Sequence, residues 1–304
     1  MTPTPVITRF RDWLRQERNL RFADYEAMHR WSVDDLPAFW GAVWAFEDIV
    51  SPTPFASVLG DSRMPGAEWF AGAQVNYARQ VFRHCEAAHA DGQPAIVAED
   101  ETGPIETIDW PTLRRRVYSL ALELRALGAN RGDRIAAYLP NRPEAVIAFL
   151  ACASIGAIWT VCAPDMGAPA VLDRFRQIEP RFLIATDGCR YAGRVHDRAE
   201  VVRTLSRELP TVEHLIVVAS GTTATDIPGA RPFAAAVVRT DAEIAGFEPE
   251  WLPFDHPLWV VYSSGTTGKP KALVHGHGGI LVSCAATRLH MYLGASYGNE
   301  TPGE

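Results

Sequence analysis

An α/β protein is predicted, with a helical N-terminal stretch leading into a mostly parallel sheet covered by helices. Residues 6–17, 22–31, 33–46 and 68–89 carry apolar side chains at three- and four-residue spacing, the repeat of an amphipathic helix. From Pro94 onward, short β-rich runs alternate with longer helical ones, the rhythm of parallel strands joined by crossover helices. With 47% apolar residues among 304, the chain can fill a sizeable core. Two domains are expected, a helical extension over residues 1–90 and a second domain over 91–304.

The elements follow in order. Pro52, Pro54 and Pro65, with Gly60 and Gly66, punctuate a loop among the N-terminal helices. AIVAE (95–99) and IETID (105–109) read as a hairpin, and residues 110–128 as a helix closed by Gly128. Strands are expected at 134–139, 157–161, 181–186, 214–219 and 258–263, with helices at 142–155 and 168–178. The uncharged run AVIAFLACASIGAIWTVCA (145–163) is long enough to cross a bilayer. Pro143 and Glu144 open a helix there and Gly156 stops it, so the run reads as a buried helix feeding a buried strand.

Charge and cysteine usage narrow the function. A net charge of −7 and a pI near 5.7 give no basic field for nucleic acid or an anionic membrane. Five scattered cysteines (Cys85, Cys152, Cys162, Cys189 and Cys284) form no CxxC pair, which suits reduced thiols in a cytoplasm. The first residues, MTPTPVITRFRDWLRQERN, lack the apolar core and small-residue cleavage site of a leader.

The segment carrying chemistry is YSSGTTGKPK (262–271), at the carboxyl end of an apolar strand, where open α/β sheets place their ligands. Gly265 and Gly268 allow close backbone approach and free amides to face phosphate oxygens. The hydroxyls of Ser263, Ser264, Thr266 and Thr267 add donors, and Lys269 and Lys271 add positive charge. A Walker A loop needs four residues between its glycines and a Ser or Thr after the lysine. Here two residues separate the glycines and Pro270 follows Lys269. Proline biases Lys269 to extended geometry, so a second strand, ALVH (272–275), is expected after the loop.

This loop resembles the signature of the adenylate-forming superfamily, which includes acyl-CoA synthetases, peptide-synthetase adenylation domains and luciferases. Trp31-Ser32-Val33 with Phe39-Trp40, then Trp69-Phe70 and Asn76-Tyr77, resemble the N-terminal extension of its acetyl- and acetoacetyl-CoA synthetase branch. GAIWTVCAPDMGAPAVLDRFRQIEPRFLIATDG (156–188) and HGHGG (275–279) resemble the acetoacetate-specific members, with Ala163 and Met166 in place of the usual Ser and Phe. As packing residues, the tryptophans imply a dense helical layer.

The resemblance implies an ATP-dependent ligase that joins acetoacetate, or else acetate or another short acid, to CoA through an acyl-adenylate. Residues Ser263 to Gly268 would hold the phosphates, Lys269 and Lys271 would neutralise them, and Mg²⁺ would arrive on ATP. Arg190 and Arg194, in CRYAGR, stand where relatives carry residues that touch CoA phosphates; a solvated charge is the alternative. No loop residue is a nucleophile, and no catalytic residue is identified in the chain. Asp165 and Arg174 read as turn and helix-surface residues. His275 and His277 have near metal-like spacing but no Cys or carboxylate beside them, which favours packing or turn capping over zinc.

The family's adenine pocket, aromatic-Thr-Glu motif and C-terminal lysine are expected after the phosphate loop, and residues 272–304 do not contain them. The sequence therefore reads as the N-terminal half of the family fold, with its C-terminal half absent and catalysis incomplete in the chain alone. A noncatalytic nucleotide- or partner-binding fragment is the alternative.

Overall fold

A computed structural model describes residues 4–221, 227–263 and 268–291. The N-terminal part contains α1 (Val6–Glu17), α2 (Tyr25–Asp34), α3 (Leu36–Phe46), β1 (Gln74–Val75), α4 (Tyr77–Phe82) and α5 (Cys85–Ala90). A hairpin of β2 (Ile96–Asp100) and β3 (Gly103–Ile108) precedes α6 (Trp110–Ala126), β4 (Arg134–Tyr138), α7 (Pro143–Ser154) and β5 (Ile158–Cys162). Next come α8 (Ala168–Phe175), β6 (Phe182–Thr186), β7 (Gly188–Tyr191), β8 (Arg194–Asp197), α9 (Ala199–Glu208) and β9 (His214–Val218). Then follow β10 (Arg231–Pro232), α10 (Phe233–Ala236), α11 (Asp241–Ile244), β11 (Leu252–Pro253), β12 (Pro257–Ser263), β13 (Lys271–Gly276) and α12 (His277–Met291).

The chain divides into two compact units, Met1–Gln93 with Trp251–His256 and Gly276–Glu304, and Pro94–Glu250 with Pro257–His275. In the second, seven strands form a sheet in the order β10-β9-β6-β4-β5-β12-β13. The described pairs from β10 to β12 are all parallel, with Ile135 opposite both Trp159 and Phe182. Ala136, Tyr138, Leu183 and Ala185 pack on one face against Val171 and Phe175 of α8 and Val202 and Leu205 of α9. Their strand neighbours Ile135, Ala137, Phe182 and Ile184 are equally buried on the opposite face. Burial on both faces is what continuous apolar strands require.

Local signals account for several boundaries. The side chains of Asp24, Asp35 and Asp109 accept from the amides of Ala27, Ala38 and Thr112, capping α2, α3 and α6. Pro143 opens α7, which ends at Ser154, and β5 begins at Ile158. Among the described residues, no helix is long and apolar enough to cross a membrane.

The first unit differs from the sequence reading at residues 68–89, expected as one helix. Phe70 and Gly72 hold φ of 47° and 84°, which a right-handed helix cannot contain. Asn76 then caps the separate α4 by accepting from the Ala78 amide at 2.9 Å. Two aromatic-rich clusters fill this unit. Val6, Phe10 and Leu14 of α1 pack with Met28, Ala42, Val43 and Leu289, while Trp44, Phe70, Val75 and Phe254 pack with Leu281 and Val282. Helix α12 therefore contributes to both clusters.

Candidate functional site

Strand β12 ends at Ser263 and β13 starts at Lys271. Between them, Ser264, Gly265, Thr266 and Thr267 lie outside the described residues. Gly268 has φ of 129°, a conformation strained for any residue with a Cβ. Ser263 is half-buried, whereas Gly268, Lys269 and Lys271 are exposed, so the cationic exit of the loop faces solvent. On the entry side the Thr160 hydroxyl donates to the Val260 carbonyl at 2.8 Å, stitching β5 to β12 within the sheet.

The end of α8, which follows β5, and the residues just after it touch both stems. The Tyr262 hydroxyl donates to the Arg174 carbonyl at 2.9 Å, and the Arg174 guanidinium carbon sits 5.9 Å from the Tyr262 ring centre. The Gln177 side-chain amide donates to the Pro270 carbonyl at 3.0 Å. Burial pushes the Tyr262 phenol up to about 12, so it remains a neutral donor at physiological pH. A cleft of about 570 Å³ beside these strands is lined by Phe149, Trp159, Met166, Trp259 and Tyr262, with Arg174 as the charged residue in its described wall. Cys162 also lines it, but burial raises that thiol to about 11, which leaves little thiolate for nucleophilic work.

The turn from Ala163 to Gly167 is held from beneath. Tyr138 Oη lies 2.9 Å from the carbonyls of both Pro164 and Met166, and Arg198 Nε donates to Pro164 at 2.6 Å. Asp165 is exposed at the tip. Met166 packs against the sheet's apolar cluster, a place where a flexible thioether can stand in for phenylalanine.

Arg190 and Arg194 come together on one hairpin, β7 with β8, and both are exposed. Tyr191 pairs with Arg194 and Arg190 with Val195, so the pleat places the two arginines on opposite faces of the ribbon. His275 and His277 separate into different elements. His275 is exposed on β13, at ring distance 6.4 Å from Trp259. His277 is fully buried at the start of α12, where its Nδ1 accepts from the Tyr77 amide at 3.1 Å. Among the described residues, no group of three His, Cys, Asp or Glu side chains is placed to hold a metal. The glycines around His277 serve close packing: a Cβ on Gly278 would overlap the Phe254 ring, and one on Gly276 would lie 3.0 Å from the Asp255 carbonyl.

The sequence model of the AMP-binding enzyme family matches residues 82–300. The chain belongs to that family. A second family, described as the acetyl-coenzyme A synthetase N-terminus, matches residues 25–81. Acetoacetyl-coenzyme A synthetase of Rhizobium meliloti (strain 1021) is 38% identical over 283 residues, covering 91% of this chain and 42% of that protein. Acetoacetyl-CoA synthetase of Danio rerio is 37% identical over 284 residues, with 90% and 42% covered. The solved acetoacetyl-CoA synthetase from Streptomyces lividans superposes with a TM-score of 0.87 at 47% identity, covering 92% of this chain and 43% of that one. The chain thus spans 42% of the length of these two curated relatives, and the resemblance to the adenylate-forming family and its mixed α/β fold holds.

Gln177, Tyr138 and Arg198 were not singled out by sequence reasoning. Their partners lie 93, 26 to 28 and 34 positions away. Nothing local to these side chains distinguishes them from ordinary surface or core residues.

Proposed function

We propose that this chain supplies the phosphate-binding part of an ATP-dependent acid–thiol ligase that activates acetoacetate and transfers it to CoA. The observation that carries this reading is the run of acetoacetyl-CoA synthetases similar over nine-tenths of the chain, with 47% identity to the one from Streptomyces lividans. Acetate or another short acid is the alternative substrate. In the proposed reaction the carboxylate attacks the ATP α-phosphate, releasing pyrophosphate and forming acyl-AMP. The CoA thiol then attacks the acyl carbon and AMP leaves.

Positioning and charge neutralisation dominate such phosphoryl chemistry. We assign phosphate binding to Ser263, Ser264, Gly265, Thr266, Thr267 and Gly268, with Lys269 and Lys271 as counter-charges. These residues offer hydroxyl, amide and ammonium groups and no carboxylate, a set that fits phosphate oxygens, so Mg²⁺ would enter bound to ATP. Arg190 and Arg194 are assigned to the CoA phosphates. Residues 1–90 act in this reading as the branch-specific helical extension and residues 91–304 as adenylation-domain sequence. Thiols without disulfides, as all five cysteines are here, suit a cytoplasmic enzyme.

The test is acid-dependent pyrophosphate release from ATP by the polypeptide expressed from the complete coding region, with acetoacetate and acetate compared. Faster release with acetoacetate, dependent on Lys269, is expected. Faster release with acetate would reassign the acid. Tight binding of Mg-ATP with no acid-dependent release would instead favour a noncatalytic nucleotide-binding role.

A further inference from the structure

We infer that the C-terminal turn of α8 and the residues just after it form a latch that clamps both stems of the phosphate loop, with Tyr262 and Gln177 as its positioning residues. The inference rests on the reading of residues 263–271 as a polyphosphate-binding loop. Its two contacts converge within four residues of sequence. On the entry stem, the Tyr262 hydroxyl donates to the Arg174 carbonyl at 2.9 Å. On the exit stem, Gln177 Nε2 donates to the Pro270 carbonyl at 3.0 Å and is itself steadied by the Asp173 carbonyl at 2.7 Å.

The physical reason for a latch lies in the loop's own composition. Two glycines make its backbone permissive, and Pro270 brings no amide to the ladder. Fixing the ends of such a sequence from outside lowers the conformational entropy to be lost when its amides meet a ligand. The end of α8 is suited to that task, because a carbonyl oxygen has two lone pairs and can take a side-chain donor beside a backbone one. Arg174 offers its carbonyl there to both the Tyr262 hydroxyl at 2.9 Å and the backbone N–H of Gln177 at 3.1 Å.

The same turn is anchored in the sheet. Leu172 and Phe175 are buried against Tyr138, Cys162 and Leu183. The Arg174 guanidinium is held by the Ala170 carbonyl at 2.7 Å and lies over the Tyr262 ring. Strand core, helix end and loop stems therefore form one connected set, and neither positioning residue needs to touch the nucleotide.

The test uses the whole chain with Tyr262→Phe and Gln177→Met, each close to isosteric and lacking one donor, and the double variant lacking both, beside Gln177→Lys, which retains a donor. Amide hydrogen exchange is read without ligand at Gly268, Lys269 and Lys271 and, as reference, across β4 and β6. Mg-ATP affinity is read by calorimetry. A net hydrogen bond of typical strength predicts about three- to tenfold faster loop exchange per single variant, a roughly multiplicative effect in the double, and a comparable loss of Mg-ATP affinity. Exchange in β4 and β6 should not change, and Gln177→Lys should restore most of the protection.

Unchanged exchange at the three loop amides would overturn the latch, as would acceleration spread equally over β4 and β6 with a lowered melting temperature. If the unsubstituted chain failed to bind Mg-ATP while the exchange pattern followed expectation, the latch would stand and the phosphate-binding reading would fall.

Discussion

Arg288 on α12 grips the carboxylate of Glu47 at the end of α3, with Nη2 and Nε 2.9 and 3.1 Å from its two oxygens, across 241 positions of sequence. The two side chains are only 15% and 5% exposed. Removing one partner of a buried pair strands the other charge, so Arg288→Met should cost about 3 kcal/mol or more, measured as a shift in the urea midpoint. Replacing both, as Glu47→Leu with Arg288→Met, should recover most of that loss. A single variant as stable as the parent would show that the pair contributes nothing.

Gly278 leaves no room for a side chain because Phe254 occupies the space. Gly278→Ala should destabilise the first unit by about 1–3 kcal/mol, the usual range for overpacking. Adding Phe254→Leu should relieve part of the effect on melting temperature. If the double variant is less stable than both singles, the clash account is wrong.

His277 supplies a pH dependence. Burial, reinforced by the nearby charge of His256, pushes its pKa from 6.5 down to about 3. Between those values the unfolded chain binds the proton and the folded chain does not, so protonation favours unfolding. The stability is fully present above pH 6.5 and declines as pH falls toward 3, at about 1.4 kcal/mol per pH unit for this group. Denaturation midpoints measured from pH 7 to pH 4 should fall less steeply in His277→Gln, which keeps an acceptor for the Tyr77 amide. His84, pushed down to about 4 chiefly by burial, leaves a residual slope in that variant.

The placement of Arg190 and Arg194 on opposite faces of their ribbon predicts unequal roles. On the proposed assignment of these arginines to CoA phosphates, one of Arg190→Ala and Arg194→Ala should raise KM for CoA about three- to tenfold, the size of one charge-assisted hydrogen bond at an exposed site. KM for ATP should stay unchanged. Equal, small effects on all substrates would return both residues to the status of solvated surface charge.

Strand β13 closes one edge of the sheet and exposes Leu273 and Val274. Successive strand residues face opposite ways, so both faces of this edge carry apolar surface. Unpaired apolar edges promote association. Val274→Lys should reduce concentration-dependent light scattering of the 304-residue chain while leaving its melting temperature within a degree or so. A parent chain that scatters no more than the variant would argue against edge-driven association.

Much of this molecule was legible in one dimension. The span predicted for α1 matches the observed helix, Val6–Glu17, residue for residue, because its apolar repeat needs no distant partner to be read. The uncharged run at 145–163 resolved into helix and strand from Pro143, Glu144 and Gly156 alone. The strands β4, β5, β6, β9 and β12 fell within a residue of expectation, since double-sided burial leaves an unbroken apolar mark. The hairpin of β7 and β8, the helices α9 to α12, and the short strands β1, β10 and β11 escaped notice. Two- to four-residue strands carry too few alternations to show a period.

The sequence by itself determined the two strands flanking residues 264–270 and the family the chain belongs to, because glycine spacing, the hydroxyls and Pro270 are local chemistry. Only the tertiary structure decided that Gln177 and Tyr262 secure the stems of that loop and that His277 caps α4 through Tyr77. It alone divided Arg190 and Arg194 between two faces of a ribbon. Those relationships join residues 88 to 200 positions apart, or depend on strand register. Hydrogen bonds and register are properties of folded geometry, and a side chain bears no local trace of the carbonyl it will meet.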